Sequence, residues 1–181
     1  SVEGLILLGH GHFAFGQTAE KSYNQIISHT QTVADYFNLE YPTALNVKAS
    51  HSSHGVLPVI RGLIADMIGP NAAMPIMDVR NGPEELKFLK RNDLESLSER
   101  GTASPDHVIR IKGRPLVLRK SVWEQGRFAI KEALKDYEIE YKAMFERQAP
   151  KAAQPKTILP PDPKTIWMEG VGLLGLGANF K

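Results

Sequence analysis

The stretch Gly4-Leu5-Ile6-Leu7-Leu8-Gly9-His10-Gly11-His12-Phe13-Ala14-Phe15-Gly16 joins an aliphatic run to a glycine-punctuated turn. Leu5 to Leu8 read as a buried strand. Gly9 and Gly11 bracket the turn Gly9-His10-Gly11-His12, where residues without a Cβ let the backbone reverse tightly. Phe13 to Gly16 continue it, and Thr18 is placed as a helix N-cap. From there Ala19, Tyr23, Ile26, Ile27, Val33, Ala34 and Phe37 recur at helical spacing. That helix should end near Asn38, with Tyr41-Pro42 marking the exit. The apolar run begins almost at Ser1, so the chain reads as a piece of a longer polypeptide.

The same pattern returns near the other end. A shift of 161 positions lays Gly9, Gly11 and Gly16 on Gly170, Gly172 and Gly177. It lays Phe13 and Phe15 on Leu174 and Leu176, and Thr18 on Asn179. Both copies follow an apolar strand, so residues 166–177 are expected to repeat the backbone of residues 5–16. The second copy carries Val171 where the first carries His10. It would keep the turn and lose an imidazole.

Between the copies, a polar stretch around Lys48–His54 precedes a helix over Val56–Ile68, closed by Gly69-Pro70. Met74–Val79 reads as a strand. Pro83, Glu84 and Glu85 suit the first turn of a helix lined by Leu86, Leu89, Leu94 and Leu97 and stopped by Gly101. His107–Ile111 and Pro115–Leu118 suggest a hairpin or two short strands around Gly113. Val122–Arg147 is the longest helical pattern. Five prolines between Ala149 and Pro163 make a stiff connector into a last strand, Thr165–Met168.

The 181 residues, 42% hydrophobic and 23% charged, suffice for one domain or two small ones with a buried core. A net charge of +2 gives no strong field for nucleic acid or an anionic membrane. The absence of cysteine excludes disulfides and thiolate chemistry, and it suits a cytoplasmic location. No apolar run reaches the roughly 18 residues of a spanning helix.

Leu7-Leu8-Gly9-His10-Gly11-His12-Phe13-Ala14-Phe15-Gly16, with Thr18-Ala19-Glu20 and Tyr23, resembles the motif that closes the active site of class II aldolases and adducin-like domains. Two further segments resemble pieces of aldolase/short-chain dehydrogenase fusions. One is Arg100-Gly101-Thr102-Ala103-Ser104-Pro105-Asp106-His107-Val108-Ile109-Arg110; the other is Gly170-Val171-Gly172-Leu173-Leu174-Gly175-Leu176-Gly177. The resemblance implies a zinc-dependent retro-aldol cleavage of a sugar phosphate such as rhamnulose 1-phosphate, with His10 as a zinc ligand. It implies a homo-oligomer, and NAD only through a separate dehydrogenase domain. The family draws two more histidines and a catalytic carboxylate from sequence upstream of this motif, and only nine residues precede His10 here. A catalytic zinc needs about three protein ligands, so the chain alone is expected to hold no zinc tightly and to show no aldolase activity. A non-catalytic adducin-like interaction module, or part of a protein acting mainly as a dehydrogenase, are the alternatives.

Other residues stand on their own chemistry. His12 is read as hydrogen-bonded or solvent-facing rather than as a second ligand. His51-Ser52-Ser53-His54 would share a helix face and bind metal, but a polar linker with Ser52 or Ser53 as a helix cap fits better. Arg110, Lys112 and Arg114 are candidates for gripping a phosphate. The same stretch reads equally as a capped turn before an edge strand kept soluble by its basic residues. Gly170-x-Gly172-x-x-Gly175 satisfies a dinucleotide-loop pattern only literally, because the helix, second strand and acidic residue that fold requires are missing. The architecture expected is α/β, with helices layered on a mixed or antiparallel sheet. Residues 1–45 would end one aldolase-like unit. Residues 46–181 would form a second, degenerate one, with the connector at 149–163.

Overall fold

The computed structural model describes residues 2–38, 55–71 and 73–179. The opening segment forms strands β1 (Gly4–Leu7) and β2 (Gly11–Ala14), an antiparallel pair, followed by helix α1 (Ala19–Tyr36). Thr18 is the N-cap of α1, its hydroxyl accepting the Lys21 N–H at 3.1 Å, which satisfies one of the orphan amides of the first turn. α1 packs against β2.

The remainder runs α2 (Val56–Ile68), β3 (Ile76–Arg80), α3 (Pro83–Phe88), α4 (Leu94–Ser98), α5 (Pro105–Ile111), β4 (Leu116–Leu118), α6 (Lys120–Trp123) and α7 (Arg127–Gln148). A 3-10 turn (Ala149–Lys151) follows, then β5 (Thr165–Met168) and β6 (Gly172–Gly177). Four strands make a mixed sheet in the order β3-β6-β5-β4, with β4 parallel to β5 and the other two pairings antiparallel. A parallel pair needs a long crossover, and here α6, α7 and the proline-rich connector make it. The fold is therefore α/β, with helices layered on a mixed sheet.

Alternation decides which side of this sheet is packed. Ile166, Met168, Leu174 and Leu176 point to one face, where α2 brings Ile60 and Ile64 and α7 brings Ile130 and Leu134. Each fully buried aliphatic side chain there contributes about 1.5–3 kcal/mol. On the opposite face Trp167 meets the Phe88 ring edge-on at 5.0 Å.

Several local expectations need correction. His107–Ile111 is helical, not a strand: Ser104 stands at the N-cap, Pro105 at the first helical position and Asp106 in the first turn, an N-terminal signature that outweighs the β-branched residues behind it. The helix stops where Lys112 adopts φ 66°. The leucine pattern after Pro83 forms two short helices, because Arg91 and Asp93 close a turn between them. The pattern from Val122 likewise splits into α6 and α7 at Gly126, whose φ is 93°. Gly172–Gly177 is a strand in the sheet interior rather than a glycine turn alone. The proline-rich connector ends with Asp162 and Pro163 fully buried. The expected boundary at 45–46 lies outside the described residues.

Candidate functional site

The β1–β2 hairpin carries His10 at its apex. Leu7 to His10 form a type II turn: Gly9 takes φ 71°, and the His10 N–H donates to the Leu7 carbonyl at 3.0 Å. Gly11 follows with φ 144°. A Cβ at Gly9 or Gly11 would meet nothing within 4 Å, so the space around the imidazole is open. His10 is exposed, its ring stacked near Phe13 with centroids 6.3 Å apart.

His12 points across the hairpin to α1, where its Nε2 lies 2.9 Å from His29 Nδ1. This is the hydrogen-bonded role expected of it. His29 is a partner that sequence reasoning missed, because a contact 17 residues away leaves no spacing signature. Among the described residues no three His, Asp or Glu gather into a metal-binding group. The His51–His54 motif lies outside the described residues, and the helix it was expected to cap has Gly55 at its N-cap.

The β5–β6 hairpin reproduces the first one. Gly170 has φ 77° and Gly172 φ 148°, and the Val171 N–H donates to the Met168 carbonyl at 3.1 Å. The register matches pair for pair: Leu5 with Phe13 and Leu7 with Gly11 in one hairpin, Ile166 with Leu174 and Met168 with Gly172 in the other. The glycines at 170–175 thus shape a hairpin.

The basic trio is dispersed. Arg110 is exposed on the last turn of α5. Lys112 is buried, and its Nζ donates to the carbonyls of Pro160 at 2.5 Å and Asp162 at 2.6 Å while sitting 4.2 Å over the Tyr141 ring. Burial pushes its ammonium down to about 8, with the Asp162 carboxylate opposing and Lys164 adding to the shift. Arg114 is ion-paired with Glu140. Lys112 and Arg114 line two neighbouring cavities of about 190 and 240 Å³, alongside Thr102 and His107 in the first and Tyr137 and Tyr141 in the second. Arg110 lines neither. β4, which follows, is an edge strand of the sheet. Lys112 therefore ties the end of α5 to the connector before β5, a role its lone place in the sequence did not announce.

Comparison with known proteins adds two findings. A family model described as "Aldolase class II, second domain" matches residues 51–181. An uncharacterised oxidoreductase of Bacillus subtilis (strain 168), YuxG, is 25% identical over 193 aligned residues. The alignment covers 98% of this chain and 27% of that protein, so the chain spans about a quarter of its relative's length. No solved structure matches the chain. Among the described residues no helix is long and apolar enough to cross a membrane.

Proposed function

The chain belongs to the class II aldolase family through its second domain, and on that premise we propose that it serves a retro-aldol cleavage of a sugar phosphate such as rhamnulose 1-phosphate. The observation that carries the reading is His10, held exposed at a glycine-bracketed hairpin apex inside the motif that resembles the aldolase metal site. In this reading His10 is one zinc ligand, and the glycines on either side leave room for a metal. The described residues do not complete a zinc site, since about three protein ligands are needed and His12 is engaged with His29. His10 is one corner of such a site. Bound there, zinc would supply a Lewis acid that stabilises negative charge on a substrate oxygen. Arg110, with no side-chain partner among the described residues, is the member of the basic trio open to a phosphate; Lys112 and Arg114 would act from the cavity walls. A cytoplasmic homo-oligomer belongs to the same proposal.

The test uses the intact protein. Purified enzyme should hold stoichiometric zinc and release a triose phosphate from rhamnulose 1-phosphate. His10→Ala should lose both properties while His12→Ala keeps the metal. The 181-residue chain alone should show neither tight zinc nor cleavage. Zinc and turnover undiminished in His10→Ala would overturn the assignment.

A second reading follows from the relative's name. A relative that this chain matches over about a quarter of its length, and which is called an oxidoreductase, favours a fusion in which a separate dehydrogenase domain binds NAD. Aldehyde-dependent reduction of NAD by the intact protein, unaffected by His10→Ala, would support it.

A further inference from the structure

The two hairpins share a backbone and differ in their surroundings, and the second shows what the first lacks. In an antiparallel pair, residues alternate between exchanging hydrogen bonds with their partner and turning their N–H outward. The Phe15 N–H donates to the Glu3 carbonyl at 3.0 Å, so Leu5, Leu7, Phe13 and Gly11 bond within the first hairpin. Gly4, Ile6 and Leu8 on one edge, and His12 and Ala14 on the other, therefore turn outward. The Leu176 N–H donates to the Lys164 carbonyl in the same phase. There the outward groups are used: β4 lies parallel to β5, with the Glu169 N–H donating to the Leu118 carbonyl at 3.0 Å, and β3 lies antiparallel to β6.

The faces tell the same story. Ile166, Met168, Leu174 and Leu176 are 0%, 0%, 1% and 8% exposed beneath α2 and α7. Their counterparts Leu5, Leu7, Phe13 and Phe15 are 38%, 47%, 41% and 46% exposed. On the other side α1 packs against β2 through His29 and His12, while Ile6 stays 70% exposed. A contiguous apolar face of this kind marks a binding surface.

We propose that β1 and β2 are the inner strands of a second four-stranded mixed sheet. A strand parallel to β1 receives Gly4, Ile6 and Leu8, and a strand antiparallel to β2 receives His12 and Ala14. An apolar helical face covers Leu5, Leu7, Phe13 and Phe15. The occupant is the protein's own first aldolase domain. The hairpin precedes the residues that match the second-domain model, and the Bacillus relative has most of its length outside the aligned part. The proposal rests on family membership and on neither zinc nor catalysis, so amide exchange reads it independently of activity.

The experiment compares site-resolved amide exchange in the intact protein and in the 181-residue chain. Gly4, Ile6, Leu8, His12 and Ala14 should exchange at least about tenfold more slowly in the intact protein, at every protein concentration. Ala14→Pro removes one outward N–H without touching the β1–β2 ladder; it should lower the unfolding midpoint of the intact protein and leave that of the 181-residue chain unchanged. Equal exchange in the two proteins overturns the proposal. So does protection that appears in the 181-residue chain and grows with its concentration, which would identify a second copy as the occupant.

Discussion

The hairpins at residues 4–14 and 165–177 are built to one plan and live in opposite environments. Both place glycine at φ near 70–80° and again near 145–150°, and both close with the same turn hydrogen bond. One is the centre of a packed sheet; the other shows its aliphatic residues to solvent. Hairpin geometry is thus local, set by glycine positions and turn chemistry, whereas stability comes from what is laid against the two edges and faces.

The contrast breaks most sharply in the core. Ile166→Ala should destabilise the chain by about 4 kcal/mol, because it empties a fully buried site. The matching Leu5→Ala should cost about 1 kcal/mol or less in the 181-residue chain. Urea denaturation measures both, and equal losses would mean the two hairpins are equally packed.

The glycines differ next. A Cβ on Gly172 would lie 2.6 Å from the Arg80 carbonyl oxygen, a backbone atom of β3 that cannot step aside. A Cβ on Gly11 meets nothing, so only the backbone strain at φ 144° remains. Gly172→Ala should therefore cost about 3 kcal/mol and Gly11→Ala about 1 kcal/mol.

Exchanging the one chemical difference sharpens the comparison further. Val171→His puts an imidazole into the core beside Met168 and should cost about 2 kcal/mol. His10→Val, at an exposed apex, should leave stability within about 0.5 kcal/mol while removing the proposed zinc from the intact protein. A loss of stability as large as that of Val171→His would show that His10 is packed after all.

The smallest effect concerns the tether that only the second hairpin has. Lys112 grips the connector leading into β5. Its pKa falls from 10.5 to about 8 on folding, so between those values the unfolded chain binds more protons and stability should rise with pH. The carbonyl bonds favour the charged form and hold the gain to the order of 1 kcal/mol. Tyr137, pushed up to about 12 from 10.0 by burial, works in the other direction above pH 10. Urea midpoints at successive pH values should climb through this window, and Lys112→Met should flatten the climb.

Much of this was legible in the chain. The 161-residue offset exposed the paired glycines, Thr18 announced α1, and Val56–Ile68 and Thr165–Met168 were visible from their apolar spacing. The missed elements share a cause. In α5, the capping residues Ser104 and Pro105 competed with a β-branched run. At Gly126, and between Phe88 and Leu94, periodicity continued across a break that only backbone angles reveal. At the candidate site His10 stood out through its motif, while His29 did not, because its importance lies in meeting His12 across the hairpin.

By itself the sequence determined the paired glycine turns, the start of α1 and the family, since these follow from glycine positions, a capping residue and short motifs read over a few neighbours. Tertiary structure alone decided that β6 pairs with β3 and that β4 runs parallel to β5. It decided too that Lys112 reaches the Pro160 and Asp162 carbonyls. Those outcomes depend on which distant backbone groups come within hydrogen-bonding distance, and buried donors must find partners wherever the packed chain offers them.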